Sequence, residues 1–104
     1  MRGAAALLIA AALTAGPAAA GPEQGRSLAS RRCAACHAIS GPGPSPFAKA
    51  PPFERIAPWY PPDDAATARL AAILAGHGEV LMPEVALRPS QLDDLLAYLS
   101  SLRG

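Results

Sequence analysis

The chain has 104 residues, enough for one small domain, and two cysteines. Its nine basic and eight acidic side chains give a net charge of +1, which argues against nucleic acid as a partner. A domain this short buries a small fraction of its surface and usually needs a metal, a disulfide or another covalent aid.

The first twenty residues have the pattern of a cleavable export signal. Arg2 supplies a positive start, residues 4–13 are apolar, and residues 18–20 form an A-x-A cleavage signal. The apolar run is about ten residues, whereas an uncleaved membrane anchor needs roughly twenty. The sequence predicts a signal peptide over residues 1–20, cleavage near Ala20, and one periplasmic domain over residues 21–104.

Residues 22–35 are predicted to form a helix. Pro22 and Glu23 suit a first helical turn. Gly25 costs a helix about 1 kcal/mol relative to alanine, which is expected where another helix must approach closely. The alternative is that the helix begins after Gly25.

Cys33, Cys36 and His37 form a C-x-x-C-H motif, which is typical of c-type haem attachment. The two thiols can add to the haem vinyl groups, and the adjacent imidazole can ligate the iron. A thioredoxin-like dithiol would follow a strand, whereas helix-like sequence precedes this motif. A zinc site needs about four ligands, and the only other histidine is His77.

Repeated prolines break the chain between residues 41 and 62, where we expect an extended loop with at most one short turn, at residues 53–57. Large apolar side chains within this stretch indicate that it packs on an apolar body such as a haem edge: Phe47, Phe53, Ile56, Trp59 and Tyr60. Trp59 is either a core aromatic or donates its indole N–H to a haem propionate.

The next helix is predicted from the capping pair Asp63-Asp64 to Gly76, which suits a helix end. The glycine-rich loop after it contains Met82, the only methionine left if Met1 departs with the leader. Its thioether is a soft ligand suited to haem iron, and Pro83 stiffens the loop. The alternatives are His77 as ligand and Met82 as a gap-filling core residue.

Residues 90–103 form the clearest predicted helix, with Ser90 and Asp93 resembling a capping box. One face carries a leucine stripe, flanked by Tyr98, that must pack on the first helix and the haem: Leu92, Leu95, Leu96, Leu99 and Leu102.

The motif, Met82-Pro83 and the terminal Leu95-Leu96-Ala97-Tyr98-Leu99 together resemble class I cytochrome c, specifically its small exported bacterial members. The resemblance implies an all-α cytochrome c fold, with three to four helices and a proline-rich loop around one covalently attached haem c. It also implies axial ligation of the iron by His37 and Met82, and a crossing of Gly25 with Tyr98.

The same resemblance implies that a proline carbonyl holds the ligating imidazole, and both Pro42 and Pro44 are placed for this role. Two features depart from the family pattern. Ala29 stands where members commonly carry a larger apolar residue at the helix crossing. Lys49 is the only lysine, so the lysine ring of some members is missing, although several arginines offer a smaller basic surface: Arg26, Arg31, Arg32 and Arg55.

The function expected from these features is that of a periplasmic electron carrier, not an enzyme, acting as a monomer without stable membrane insertion after cleavage. Its expected partners are redox proteins: a membrane oxidoreductase or oxidase, or a soluble dehydrogenase. Two alternatives remain open, a dedicated haem subunit of a larger redox complex, and a haem gas sensor or enzyme with a labile sixth ligand.

Replacing both motif cysteines tests the attachment chemistry. The double variant Cys33→Ala, Cys36→Ala should lose all covalently bound haem, because no other thiol is available to form a thioether. The measurement is the haem that remains with the chain after denaturation and acid–acetone extraction. Haem that stays with the doubly substituted chain would contradict the motif assignment.

Overall fold

The computed structural model describes residues 20–76 and 81–103. This part of the chain contains four α-helices and no strand: α1 (Pro22–Arg32), α2 (Phe53–Ile56), α3 (Asp64–Leu74) and α4 (Pro89–Ser101). A short 3-10 helix, Ala57–Trp59, follows α2 directly. The all-α prediction is confirmed. The proline-rich loop holds more helix than the single short turn predicted at residues 53–57, because the 3-10 helix continues α2 to Trp59.

The predicted signal peptide, residues 1–20, lies outside the described residues apart from Ala20. Among the helices described, none has the length and apolar character needed to cross a membrane.

Helix α1 begins at Pro22, so the alternative start after Gly25 is wrong. It ends at Arg32 instead of Ala35, and residues 33–36 form turns. The reason lies in the hydrogen bonds: the N–H groups of Cys33 and Ala34 both donate to the carbonyl of Ala29, at 2.8 and 3.0 Å. The regular i to i−4 pattern is lost at this point, and the motif therefore sits on a turn.

Helices α3 and α4 begin in different ways. Asp63 caps α3 as predicted, with its Oδ1 accepting from the N–H of Ala66 at 2.6 Å, and Gly76 follows the helix with a φ of 83°. The predicted cap of α4 at Ser90 is wrong. The N-cap is Arg88, whose N–H donates to Oε1 of Gln91 at 2.9 Å. Pro89 takes the first helical position, where the absence of an N–H costs nothing.

Helix α4 is the central element of the core because it packs mainly on α1 and also contacts α2, α3 and the 3-10 helix. The predicted leucine stripe is confirmed, with Leu95 and Leu99 buried and the other three leucines partly buried against the core. The buried cluster draws on all five helical segments: Leu28, Ala29, Phe53, Ala57, Tyr60, Ala66, Leu70, Leu74, Leu95, Tyr98 and Leu99.

Helices α1 and α4 cross in near contact at Gly25. A Cβ atom built on this buried glycine would overlap the carbonyl oxygen of Asp94 and lie 2.7 Å from Cβ of Tyr98. The expected close approach is therefore confirmed, and so is the crossing of Gly25 with Tyr98. Ala29, one turn further along α1, is fully buried, so its small side chain is enclosed at the interface.

Substitution of Gly25 tests the crossing. Gly25→Ala should destabilise the protein by about 2 kcal/mol, because the overlap with backbone outweighs the better helix propensity of alanine. The measurement is the free energy of unfolding in urea. Gly43→Ala is the matched control, since nothing lies within 4 Å of a Cβ at Gly43. Equal effects of the two substitutions would refute the close-contact explanation.

Candidate haem site

The C-x-x-C-H motif occupies the turn directly after α1. The N–H groups of Cys36 and His37 both donate to the carbonyl of Cys33, at 3.1 and 2.9 Å, which closes the turn on itself. Cys33 is partly buried, Cys36 is exposed, and both thiols are free. Two thiols and an imidazole are thus presented from one short, hydrogen-bonded segment.

The thiol of Cys33 is influenced by its burial and by a neighbouring charge. Burial raises the pKa of Cys33, and the positive charge of Arg32 partly opposes this increase. Burial therefore favours the thiol over the thiolate at Cys33 before attachment.

The imidazole of His37 is held by a carbonyl group. Its Nδ1 lies 2.7 Å from the carbonyl oxygen of Pro51. Because a carbonyl oxygen only accepts, Nδ1 must carry the proton and donate it, which leaves the lone pair of Nε2 available to a metal. This contact fixes both the tautomer and the orientation of the ring.

The partner of His37 corrects an expectation, since neither Pro42 nor Pro44 has this role and both are exposed. Residues 42–44 are exposed, and the chain contacts the motif region again only after them. The N–H of Phe47 donates to the carbonyl of Cys36 at 3.1 Å, and that of Phe53 donates to the carbonyl of Ala38 at 2.8 Å. These bonds bring the carbonyl of Pro51 to the imidazole.

Two side chains fix the backbone just after the motif. Oγ of Ser45 accepts from the N–H of Ala38 at 2.9 Å, and the hydroxyl of Tyr98 donates to the carbonyl of Ile39 at 2.6 Å. The Phe53 ring packs between His37 and Tyr98, with centroid distances of 5.5 and 6.4 Å. Helix α4 is thereby connected to the imidazole through one aromatic ring.

Trp59 is 52% exposed, so its interpretation as a core aromatic is wrong. Its carbonyl accepts from the guanidinium of Arg69 at 2.6 Å, and the same guanidinium lies 5.8 Å from the ring centre of Tyr60. Tyr60 is the buried aromatic at this position, and burial raises the pKa of its hydroxyl while Arg69 partly opposes the increase. A bond from the Trp59 indole to a propionate stays a prediction.

Met82 is partly buried and packs against the core, whereas the side chain of its neighbour Leu81 is 81% exposed. The N–H of Val85 donates to the carbonyl of Leu74 at 2.8 Å, which ties the segment after Met82 to the end of α3. The rival ligand His77 lies outside the described residues. Ligation by Met82 therefore stays a prediction.

The donor set fits a covalently bound haem: two free thiols on one turn, an imidazole with Nε2 available, and a thioether on a core-facing loop. In residues 20–76 and 81–103, no three or more His, Cys, Asp or Glu side chains are grouped so that they could hold a metal ion.

Comparison with protein families decides between the chemistries that the motif allows. The model of the family Cytochrome c matches residues 22–103, which is most of the chain. The chain belongs to the cytochrome c family. Members of this family carry covalently bound haem c and generally act in electron transfer, and Cys33 and Cys36 fit its attachment motif. The cofactor is therefore haem c, and the thioredoxin-like and zinc alternatives are excluded.

No curated protein and no solved structure matches the chain at a significant level.

Sequence reasoning missed two residues that support this cytochrome c motif, Pro51 and Ser45. Pro51 carries no signal that separates it from the other prolines of the loop, because its role depends on where the chain returns. Ser45 did carry a signal, because a serine within a proline-rich run often forms a hydrogen bond with a nearby backbone group.

The hydroxyl of Tyr98 can be tested separately from its ring. Tyr98→Phe should lower the free energy of unfolding by about 1 kcal/mol, because the carbonyl of Ile39 loses its hydrogen bond while the contact with Phe53 remains. Tyr98→Leu, which also removes the ring, should cost clearly more. Urea unfolding of the haem-loaded protein gives both values, and an unchanged stability of Tyr98→Phe would mean that the hydroxyl does not hold the loop.

Proposed function

We propose that this protein is a periplasmic electron carrier with one haem c, whose iron is ligated by His37 and Met82. Family membership supports the coarser part of this proposal, a haem-binding role in electron transfer. The observation that carries the finer part is the bond from Nδ1 of His37 to Pro51, because it leaves Nε2 as a pre-oriented ligand.

The second ligand is proposed on chemical grounds. The thioether of Met82 is a soft donor suited to haem iron, and Pro83 restricts the backbone on which it sits. When bound, haem with histidine and methionine ligands supplies a one-electron couple in which the ferrous state is favoured. Two protein ligands leave no iron position for oxygen, and a carrier needs no substrate pocket and no catalytic acid or base.

The periplasmic location is proposed from the leader-like residues 1–20. Two cysteines so close together are at risk of forming a strained disulfide in an oxidising compartment. Thioether bonds consume both thiols, so the motif is chemically compatible with export.

The proposed partners are redox proteins that dock transiently beside the motif: a membrane oxidoreductase or oxidase, or a soluble dehydrogenase. Exposed cations flank the motif in the chain, with Arg31 and Arg32 directly before Cys33 and Lys49 and Arg55 in and after the proline-rich loop. Phe47 is 44% exposed in the same loop. Exposed basic and apolar side chains of this kind suit a weak electron-transfer encounter between a monomeric carrier and its partner.

The absorption spectrum of the reduced, haem-loaded protein before and after addition of carbon monoxide tests the ligand set. The wild-type protein should give a low-spin c-type spectrum that the gas does not change. Met82→Ala should keep its haem but bind carbon monoxide promptly, because the sixth position is open. The matched control is His77→Ala, which should behave as the wild type.

Three outcomes would overturn this proposal. A Met82→Ala spectrum identical to that of the wild type would reject Met82 as ligand. A change in His77→Ala would assign that role to His77. Prompt binding of the gas by the wild type would favour a gas sensor or enzyme over a carrier.

A further inference from the structure

The backbone nitrogen of Gly21 is bound by a carboxylate from the other end of the chain. The N–H of Gly21 donates to Oδ1 of Asp94 at 3.0 Å, across a separation of 73 residues. Gly21 is the N-cap residue of α1, with φ −123° and ψ 133°, and Asp94 lies in α4 at the crossing with Gly25. The carbonyl of Asp94 thus faces the glycine of the crossing, and its carboxylate holds the start of α1.

Gly21 is also the residue that follows the predicted cleavage signal. We infer that Asp94 is the binding site for the amino terminus of the processed chain, which begins at Gly21. This inference rests on the proposed export and processing. In the cleavage step a signal peptidase uses one water molecule to hydrolyse the amide bond between Ala20 and Gly21. Ala20 leaves with a carboxylate, and Gly21 retains the nitrogen as a protonated amine.

Cleavage changes the bond between Gly21 and Asp94 from one in which only the carboxylate is charged into one in which both partners are charged. An ammonium group donates up to three hydrogen bonds and carries a full positive charge, whereas the amide offers one N–H. Hydrogen bonds between ionised partners are stronger than those between neutral ones. The carboxylate that accepts from Gly21 is therefore better matched to the processed chain than to the precursor.

The helix dipole explains why a counter-charge is needed at this place. The amino end of α1 carries a partial positive charge, which repels an ammonium group directly before it. Asp94 places a negative charge beside both.

The position of the cleavage decides whether the new ammonium group lies within hydrogen-bond distance of Asp94. Each additional residue moves the ammonium group by up to about 3.5 Å along the chain, beyond hydrogen-bond distance of Asp94. A start at Ala20 would leave only the neutral amide of Gly21 at the carboxylate.

The first measurement is the intact mass of the exported, haem-loaded protein, which should correspond to residues 21–104 plus one haem. Three proteins then carry Lys49→Arg, so that the α-amine is the only amine left to acetylate: the parent, Asp94→Asn and Asp93→Asn. Asparagine at position 94 keeps the hydrogen-bond acceptor and removes the charge. Asp93→Asn is the matched control, because it removes a charge from the adjacent, exposed position of the same helix.

Acetylation of the α-amine should increase the equilibrium constant for unfolding of the parent roughly two- to fivefold, because the ion pair with Asp94 is lost. Asp93→Asn should respond like the parent. Asp94→Asn should respond by less than twofold, because the charge partner is already lost.

Equal responses of the parent and Asp94→Asn would overturn the inference. A periplasmic, haem-loaded protein that begins at a residue other than Gly21 would also overturn it, and would leave the proposed carrier function intact. An unprocessed chain would instead refute the proposed cleavage of the leader, and this inference with it. The absorption spectrum, which depends on the iron ligands, should be the same in all three proteins before and after acetylation.

Discussion

The crossing of α1 with α4 is the contact on which the rest of the fold depends. It is possible only because Gly25 has no side chain where the carbonyl of Asp94 and the Cβ of Tyr98 approach. A contact of this kind gains dispersion energy over the whole helix interface but leaves no room for adjustment. The end of α1, and with it the start of the haem-binding motif, is thereby fixed relative to α4.

Helix α4 fixes the position of the His37 imidazole through two contacts. The hydroxyl of Tyr98 holds the backbone at Ile39, just beyond the motif. The ring of Tyr98 packs on Phe53, which in turn packs on His37. The carbonyl of Pro51 then sets the tautomer. Aromatic packing and a single carbonyl together leave the imidazole with one orientation and one nitrogen available for the proposed ligation.

Family membership settles the cofactor and the general role of the chain in electron transfer. The sequence patterns by themselves also predicted several local features of the structure. The C-x-x-C-H motif identified the cofactor because its residues act together within one turn, so that no distant part of the chain is needed to recognise them. The leucine stripe of α4, the Asp63 cap and the close approach at Gly25 were likewise readable, since helix periodicity and capping depend on neighbours three or four residues apart.

Only the tertiary structure decided which distant groups meet. Pro51, and neither Pro42 nor Pro44, reaches His37 because backbone bonds from Phe47 and Phe53 determine where the loop returns. The N-cap of α4 is Arg88 and not the predicted Ser90, because the side-chain oxygen of Gln91 accepts a hydrogen bond from the N–H of Arg88. Asp94 meets Gly21 only because two helices from opposite ends of the chain cross there. Loop closure and helix crossing depend on many long-range contacts together, so they cannot be predicted from any short segment of the sequence.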